Sequence, residues 1–480
     1  MIGRPLVTGN RHTCGVTRSF GVASAALALA LVLSACTVTV DGVALGTGRV
    51  VNPDQQSDVD PTFINNSDGG EIDKLAGTVV KDVEKFWQEA FPKTFDNKPW
   101  QPLRGGYYSV DTSDKTAPAP PCTDQASDVE GNAFYCPSAD IIAWDRVALL
   151  PVLKNRFGEA SVMLVLAHEM GHAVQRRAGI TQSAQRSDPQ RFPTILLESQ
   201  ADCYAGAFVR WVSDGKADRL RLDRDSIDPA LEAMVLFRDP VGTEQTAQGA
   251  HGDAFDRVSA FQDGFEKGTQ LCSEISVDNR TFTQRGFLDE KDEATGGNLP
   301  FDNTVELLET DINAFMQSEL TKLGKQWTKP KLDRVNSTPR CSRGDQGPVA
   351  YCPDDRTIDM QTRGRLAELH SEIGDWATGT IVSSRYAMLM LATLDKPLTG
   401  PETQRSALCV SGAYSKSLLN RVGNNVFALS PGDLDEAVQV LLGFDYPARD
   451  LEGEAPATGF ERVAAFRVGA VDGLKSCNLA

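Results

Sequence analysis

Residues 162–177 read Val-Met-Leu-Val-Leu-Ala-His-Glu-Met-Gly-His-Ala-Val-Gln-Arg-Arg. The stretch is apolar, lacks proline and turns polar at Gln175, which predicts a helix that starts inside a core. His168 and His172 are four apart, so both imidazoles lie on one helical face. Two neutral imidazoles so placed can hold one zinc ion, and Glu169 between them can reach a water at the metal's open position. Gly171 costs a helix interior ~1 kcal/mol relative to alanine. A residue without a side chain there predicts that another element packs tightly on that turn. Histidine is scarce: beyond residue 35 the chain holds only His168, His172, His251 and His370. A helix that met this pattern by coincidence would be expected in roughly 1% of such chains or fewer.

A catalytic zinc needs a third protein ligand. Residues 194–212 read Thr-Ile-Leu-Leu-Glu-Ser-Gln-Ala-Asp-Cys-Tyr-Ala-Gly-Ala-Phe-Val-Arg-Trp-Val, a second apolar, helix-like segment. Glu198 and Asp202 are four apart on an otherwise apolar surface. Carboxylates buried there need a counter-charge, and a cation supplies one. Glu198 is the candidate ligand. Asp202, one turn later, would accept a hydrogen bond from a ligating histidine and fix its tautomer. His251, in Gly249-Ala250-His251-Gly252 before the last helix of this region, is a candidate donor to a developing oxyanion.

The chain repeats itself. Tyr135-Cys136-Pro137 matches Tyr351-Cys352-Pro353, and a gapless alignment at offset 216 runs on for almost forty residues. Cys203-Tyr204-Ala205-Gly206-Ala207-Phe208 then matches Cys409-Val410-Ser411-Gly412-Ala413-Tyr414. Phe261, Gly264, Gly268 and Cys272 match Phe466, Gly469, Gly473 and Cys477. The reading is a tandem duplication, 72–280 and 305–480, joined by a linker at 281–304 expected to be an exposed connector. The chemistry sits only in the first copy. His168, Glu169 and His172 face Ser384, Arg385 and Met388, and Glu198 and Asp202 face Gln404 and Leu408. His370 aligns with Lys154 and is expected at the surface. The second copy is therefore read as metal-free.

Arg4, Arg11 and Arg18 precede an apolar run from Phe20 to Leu33 that ends in Leu33-Ser34-Ala35-Cys36. The run is short for a membrane span and reads as a signal peptide, residues 1–35. Leu33-Ser34-Ala35-Cys36 resembles a bacterial lipobox, and the resemblance implies cleavage before Cys36 and its modification with lipid. Residues 36–71 read as a tether, placing the folded part outside the cytoplasm at the membrane through a lipid anchor. Export permits disulfides. Each copy carries four cysteines, and each copy is expected to fold alone. The simplest set is Cys122–Cys136 and Cys203–Cys272, mirrored by Cys341–Cys352 and Cys409–Cys477; crossed pairings within a copy stay open. The formal charge is -17, from 48 Lys and Arg against 65 Asp and Glu, and all the acids lie beyond residue 35. Such a chain repels phosphate backbones, which argues against nucleic acid as a partner.

The order Tyr-Cys-Pro, His-Glu-Met-Gly-His-Ala-Val-Gln, Glu-Ser-Gln-Ala-Asp-Cys-Tyr-Ala-Gly, then His-Gly followed by Arg257 and Gly-Phe-Glu-Lys-Gly, resembles the neutral zinc metallopeptidases over about residues 75–275. These are zincins whose third ligand is a glutamate on a second helix. The resemblance implies Zn²⁺ held by His168, His172 and Glu198, with Glu169 as catalytic base. It departs from the family at Ala173, where a histidine is usual, and at Asn132-Ala133, where Gly-Pro is usual. The implied fold is α+β and helix-dominated, with two tandem homologous zincin-like domains, the second lacking metal ligands. The implied activity is peptide-bond hydrolysis on a peptide or protein of the cell envelope. The alternative is a non-catalytic envelope lipoprotein acting as a binding or scaffold module.

Overall fold

In the computed structural model, the described residues are 50, 59–247, 249–341, 343–419, 421 and 427–479. Cys36 and the signal segment lie outside them, as does much of the tether. The first half runs β1 (Ile64–Asn65), α1 (Glu71–Thr94), β2 (Gly106–Val110), β3 (Ala133–Cys136), β4 (Ile141–Asp145), α2 (Leu149–Phe157), α3 (Glu159–Ala178), α4 (Gln182–Ser187), α5 (Thr194–Ser213), α6 (Ile227–Leu236), α7 (Ala254–Lys267) and α8 (Thr269–Glu274). After α9 (Glu290–Thr295) come α10 (Phe301–Lys322), β5 (Lys331–Val335), β6 (Val349–Cys352), β7 (Thr357–Gln361), α11 (Arg365–Glu372), α12 (Asp375–Thr393), α13 (Pro401–Leu419), α14 (Asp433–Gly443) and α15 (Gly459–Asp472). The architecture is mixed α+β and dominated by helices. Among the described residues no helix is long and apolar enough to cross a membrane.

The first sheet has strand order β1-β2-β4-β3. β4 pairs in parallel with β2 and antiparallel with β3, so Ile142 sits between Tyr107 and Tyr135. All five residues of β4 are buried, as expected for an inner strand covered on both faces. The second sheet has order β5-β7-β6, with β7 parallel to β5 and antiparallel to β6, so Ile358 sits between Leu332 and Tyr351.

The helix predicted around residues 162–177 is α3. It ends where Gly179 adopts φ 106° and returns its N–H to Gln175 and Arg176 carbonyls, a left-handed stop that glycine makes without strain. The close packing expected at Gly171 is present. A Cβ there would lie 2.8 Å from Ala201 Cα, so α5 crosses α3 at that turn. On its other side α5 crosses α7, with Gly206 against the Phe261 carbonyl and Gly264 against the Cys203 carbonyl. In the second half Gly412 meets the Phe466 carbonyl and Gly469 the Cys409 carbonyl at the crossing of α13 and α15.

The four cysteine pairs of the simplest set all lie at disulfide distance, with Cα separations of 6.5, 5.5, 5.3 and 5.4 Å in chain order. The expectation that each half packs alone is corrected. One continuous apolar cluster runs through both, including Phe261 and Phe255 with Phe466, Leu434 and Leu441. Polar contacts reinforce it: Gln262 Nε2 donates to Phe460 O at 3.0 Å, and Phe255 N to Asp435 Oδ1 at 3.0 Å. Nor is the 281–304 segment a free connector. Thr283 N donates to the Asp256 carboxylate, Gln284 is buried, and Arg285 donates to the carbonyls of Leu419 and Leu429. Its acidic run at 289–293 is largely exposed, as its charges predict, while Thr283 and Gln284 hold the segment to the first half and Arg285 holds it to the second.

Candidate metal centre

α3 brings His168, Glu169 and His172 to one place, and α5 lays Glu198 and Asp202 across from them. Ligand atoms of His168, His172 and Glu198 all lie within 4.8 Å of one another. His168 Nε2 is 3.2 Å from Glu198 Oε2, and His172 Nε2 is 3.5 Å from Glu198 Oε1.

Both imidazoles are already committed at their other nitrogen. His168 Nδ1 lies 2.7 Å from Asp202 Oδ1. His172 Nδ1 lies 3.1 Å from Gln175 Oε1. That amide is oriented by its own Nε2, which donates to Leu197 O and Gln200 Oε1, so its oxygen faces the ring. With Nδ1–H donating to these acceptors, a neutral ring keeps its lone pair on Nε2, facing Glu198. Glu198 Oε2 is buried and receives no well-formed hydrogen bond, despite its short distance to His168. With both rings neutral, three electron-rich groups converge with no donor among them. Two nitrogens and one carboxylate in this arrangement fit zinc.

Electrostatics agree. Burial disfavours charge on His168, but Asp202 and Glu198 push it up to about 10 in the metal-free chain. Burial likewise works against ionised Glu198, yet His172 and His168 hold it down to about 2. A protein that must place a proton on His168 to neutralise its neighbours has a place for a metal cation instead. Asp202 is fully buried between His168 and Arg257. The Arg257 guanidinium donates to both its oxygens, at 2.9 and 3.0 Å, and to Phe237 O. Glu169 is buried beside the triad, its Oε2 accepting from Tyr135 N on edge strand β3 at 2.8 Å. Burial pushes its carboxyl up, with His168 and His172 opposing.

His251 is not among the converging groups. Its ring is more than half exposed and lies 3.3 Å from Asp239 Oδ1. The Asp239 contact raises its pKa against some burial, and Glu198 adds to the effect. A pocket of about 220 Å³ lies over the centre, lined by Tyr135, His172 and Glu198. It shares Gln182, Gln185 and Thr194 with a wider cleft of about 1070 Å³.

The positions opposite these in the second half are occupied differently. Ser384, Met388 and Leu408 are fully buried, and Gln404 Nε2 donates to Asp450 Oδ2 and Glu454 O. Arg385 is fully buried and donates to Gln346 Oε1 and to the carbonyls of Arg449, Tyr446 and Pro447. Burial pushes it down to about 9. Arg462, where the first half has Arg257, donates to Leu441, Leu442 and Pro456 carbonyls. His370 is half-buried rather than simply exposed: Nε2 lies 3.0 Å from Leu299 O and the ring meets Phe301 edge-on. Sequence reasoning gave no role to Gln175 and Arg257. Gln175 was findable, three residues beyond His172 on the same face. The Tyr135 backbone N–H carries no sequence signal.

Buried His168 and Glu198 and partly buried His172 thus form a candidate metal-binding group beside buried Glu169. The chain belongs to the family described as "Putative neutral zinc metallopeptidase", whose sequence model matches residues 4–274. It is 28% identical over 203 residues to uncharacterized proteins of Mycobacterium bovis and Mycobacterium tuberculosis, covering 37% of this chain and 66% of theirs. It is 26% identical over 260 residues to the uncharacterized protein YpfJ of Escherichia coli, covering 50% of this chain and 82% of that protein. The chain therefore spans just under two thirds of the mycobacterial relatives' length. No solved structure matches it.

Proposed function

We propose that the chain is an exported zinc metallopeptidase, anchored to the membrane through lipid on Cys36, that hydrolyses peptide bonds in the cell envelope. The observation that carries this reading is the convergence of His168 Nε2, His172 Nε2 and the Glu198 carboxylate, with both Nδ1 atoms already engaged. Zinc held there supplies a Lewis acid that polarises a peptide carbonyl and makes water easier to deprotonate. Glu169 takes a proton from the attacking water and returns it to the leaving amine. Its raised pKa suits a group that must hold that proton between the two steps. Asp202, fixed by Arg257, keeps His168 in the tautomer that offers Nε2. His251, exposed and held by Asp239, feels the charge of Glu198 and is the candidate donor to the developing oxyanion. The pocket over His172 and Glu198 admits part of a peptide, and the wider cleft receives the flanking residues.

The second half, 305–480, is read as a degenerate copy of 72–280. Support comes from the matching order of β2-β4-β3 and β5-β7-β6, the glycine pairs at the two helix crossings, and the paired cysteines. Residues 1–35 are read as a removed signal peptide and 36–71 as the tether.

The test is Glu169→Gln, with zinc content and peptide cleavage measured together. The variant is expected to keep its zinc and lose ~10²–10⁴-fold in turnover. Full activity in Glu169→Gln would refute the mechanism. Wild-type protein that holds zinc but cleaves nothing in a broad peptide library would favour the non-catalytic scaffold.

A further inference from the structure

The second half contains a different convergence of acidic groups. Asp375 begins α12, Asp433 begins α14, and Glu436 lies one turn into α14. One oxygen from each lies within 4.8 Å of one from each of the others, and all three residues are buried, with 4%, 4% and 6% exposure. Among the described residues none of the three forms an ion pair. Arg285, the nearest cation to influence Asp433, spends its guanidinium on the Leu419 and Leu429 carbonyls.

Each carboxylate is oriented by one backbone donor, and Glu436 also receives a hydrogen bond from the Asn298 side chain. Leu299 N donates to Asp375 Oδ2 at 2.8 Å, Trp376 N to Glu436 Oε2 at 2.7 Å, and Ser430 N to Asp433 Oδ2 at 2.7 Å. The second oxygen of Asp375, Oδ1, is buried and has no hydrogen-bond partner. A buried carboxylate oxygen without a donor is costly unless something positive meets it. The backbone makes room for the arrangement. Gly374 adopts φ 145°, and a Cβ there would run into the Glu436 carboxylate. Asp375 aligns with Glu159 at the start of the first half's α3, which accepts from Val50 N instead, and among the described residues no acidic cluster of this kind occurs in the first half.

We propose that Asp375, Asp433 and Glu436 form a second cation site, which takes Ca²⁺. The donors are all carboxylate oxygens, with none of the nitrogen or sulfur that selects zinc. Oxygens up to 4.8 Å apart can face one another across an ion bonded at ~2.3–2.6 Å. Ca²⁺ takes six to eight oxygens, of which the three carboxylates supply at least three. The ion ties the segment at Leu299 to the starts of α12 and α14, so it holds together the half that has no zinc centre.

The experiment uses the full chain loaded with zinc and stripped of calcium. Ca²⁺ at ~1 mM is expected to raise the unfolding midpoint by several degrees, because it binds only the folded state. Tb³⁺ is expected to bind in its place and emit under tryptophan excitation, since the Trp376 backbone touches the cluster. The double variant Asp433→Asn/Glu436→Gln should lose both responses and keep its zinc. No calcium shift and no Tb³⁺ emission in the wild type would overturn the proposal, as would a double variant that responds like the wild type. A shift with Mg²⁺ but not Ca²⁺ would overturn the choice of calcium. If the double variant does not fold, the two wild-type measurements decide.

Discussion

Asp202→Asn separates what the carboxylate does for the metal from what it does for the fold. Asp202 is fully buried, 2.7 Å from His168 Nδ1 and 2.9–3.0 Å from the Arg257 guanidinium. Asparagine keeps a carbonyl that can accept from His168, but it brings amide hydrogens toward Arg257 and removes the charge opposite it. Breaking a buried ion pair typically costs ~3–5 kcal/mol, because the surviving charge is left without compensation. Loss of the charged partner to a ligating histidine typically costs ~10–100-fold in metal affinity. Two separate readouts are therefore expected to move: urea unfolding of the zinc-free chain, and zinc affinity by competition with a chelating dye. Adding Arg257→Met removes the stranded cation and should restore most of the stability without restoring the zinc affinity. The second half already lives without this pair, with Leu408 and a carbonyl-bonded Arg462 in its place. If Asp202→Asn lost stability while its zinc affinity stayed within about threefold of wild type, Asp202 would be structural only. If Arg257→Met restored nothing, the ion pair would not be the source of the loss.

Gly264→Ala should destabilise by at least ~1–3 kcal/mol even after the ~1 kcal/mol helix gain, since the obstacle is the Cys203 backbone carbonyl rather than a side chain that can turn away; chemical denaturation measures it. Arg385→Ala should cost about 3 kcal/mol or more in the same assay, because it strips the donor from the Arg449 and Pro447 carbonyls and one of two donors from Gln346 Oε1 and the Tyr446 carbonyl; zinc content should stay unchanged. The zinc-free chain should have a pH-dependent stability that the zinc-loaded chain lacks. His168 is raised from the usual 6.5 to about 10, so its protonated form contributes stability that is fully present below about 6.5 and lost as pH rises toward 10. Thermal midpoints of both forms across pH 6–10 check this, and a flat zinc-free curve would count against the buried His168–Asp202 contact.

The candidate metal centre was legible because the residues that form it obey helical periodicity. His168 and His172 share a face of α3, and Glu198 and Asp202 share a face of α5, so two spacings of four sufficed once the helices faced each other. Gly171 even reported where they cross. The cysteine pairs were legible from the repeat. Less could be read where the partner is backbone or is distant in sequence. Tyr135 N–H holds Glu169 through a strand pairing that leaves no mark on composition. Arg257 reaches Asp202 from 55 positions away. Arg385, which the alignment sets opposite Glu169, is a buried cation satisfied entirely by neutral oxygens, an outcome set by the local fold around Tyr446–Arg449. The charges of the 281–304 segment mark residues 288–296 as solvent-facing, and these are mostly exposed; the anchoring of Thr283, Gln284 and Arg285 on α7, Asp239 and the end of α13 leaves no such mark.

The central claim is one zinc ion held by His168, His172 and Glu198. Anomalous diffraction from crystals of the zinc-loaded protein, recorded on both sides of the zinc absorption edge, tests it most directly. The account predicts one strong zinc peak per chain, within bonding distance of both Nε2 atoms and a Glu198 oxygen, and none at Asp375, Asp433 and Glu436. A zinc-replete crystal with no peak between α3 and α5, or with its peak bounded by other residues, would contradict it.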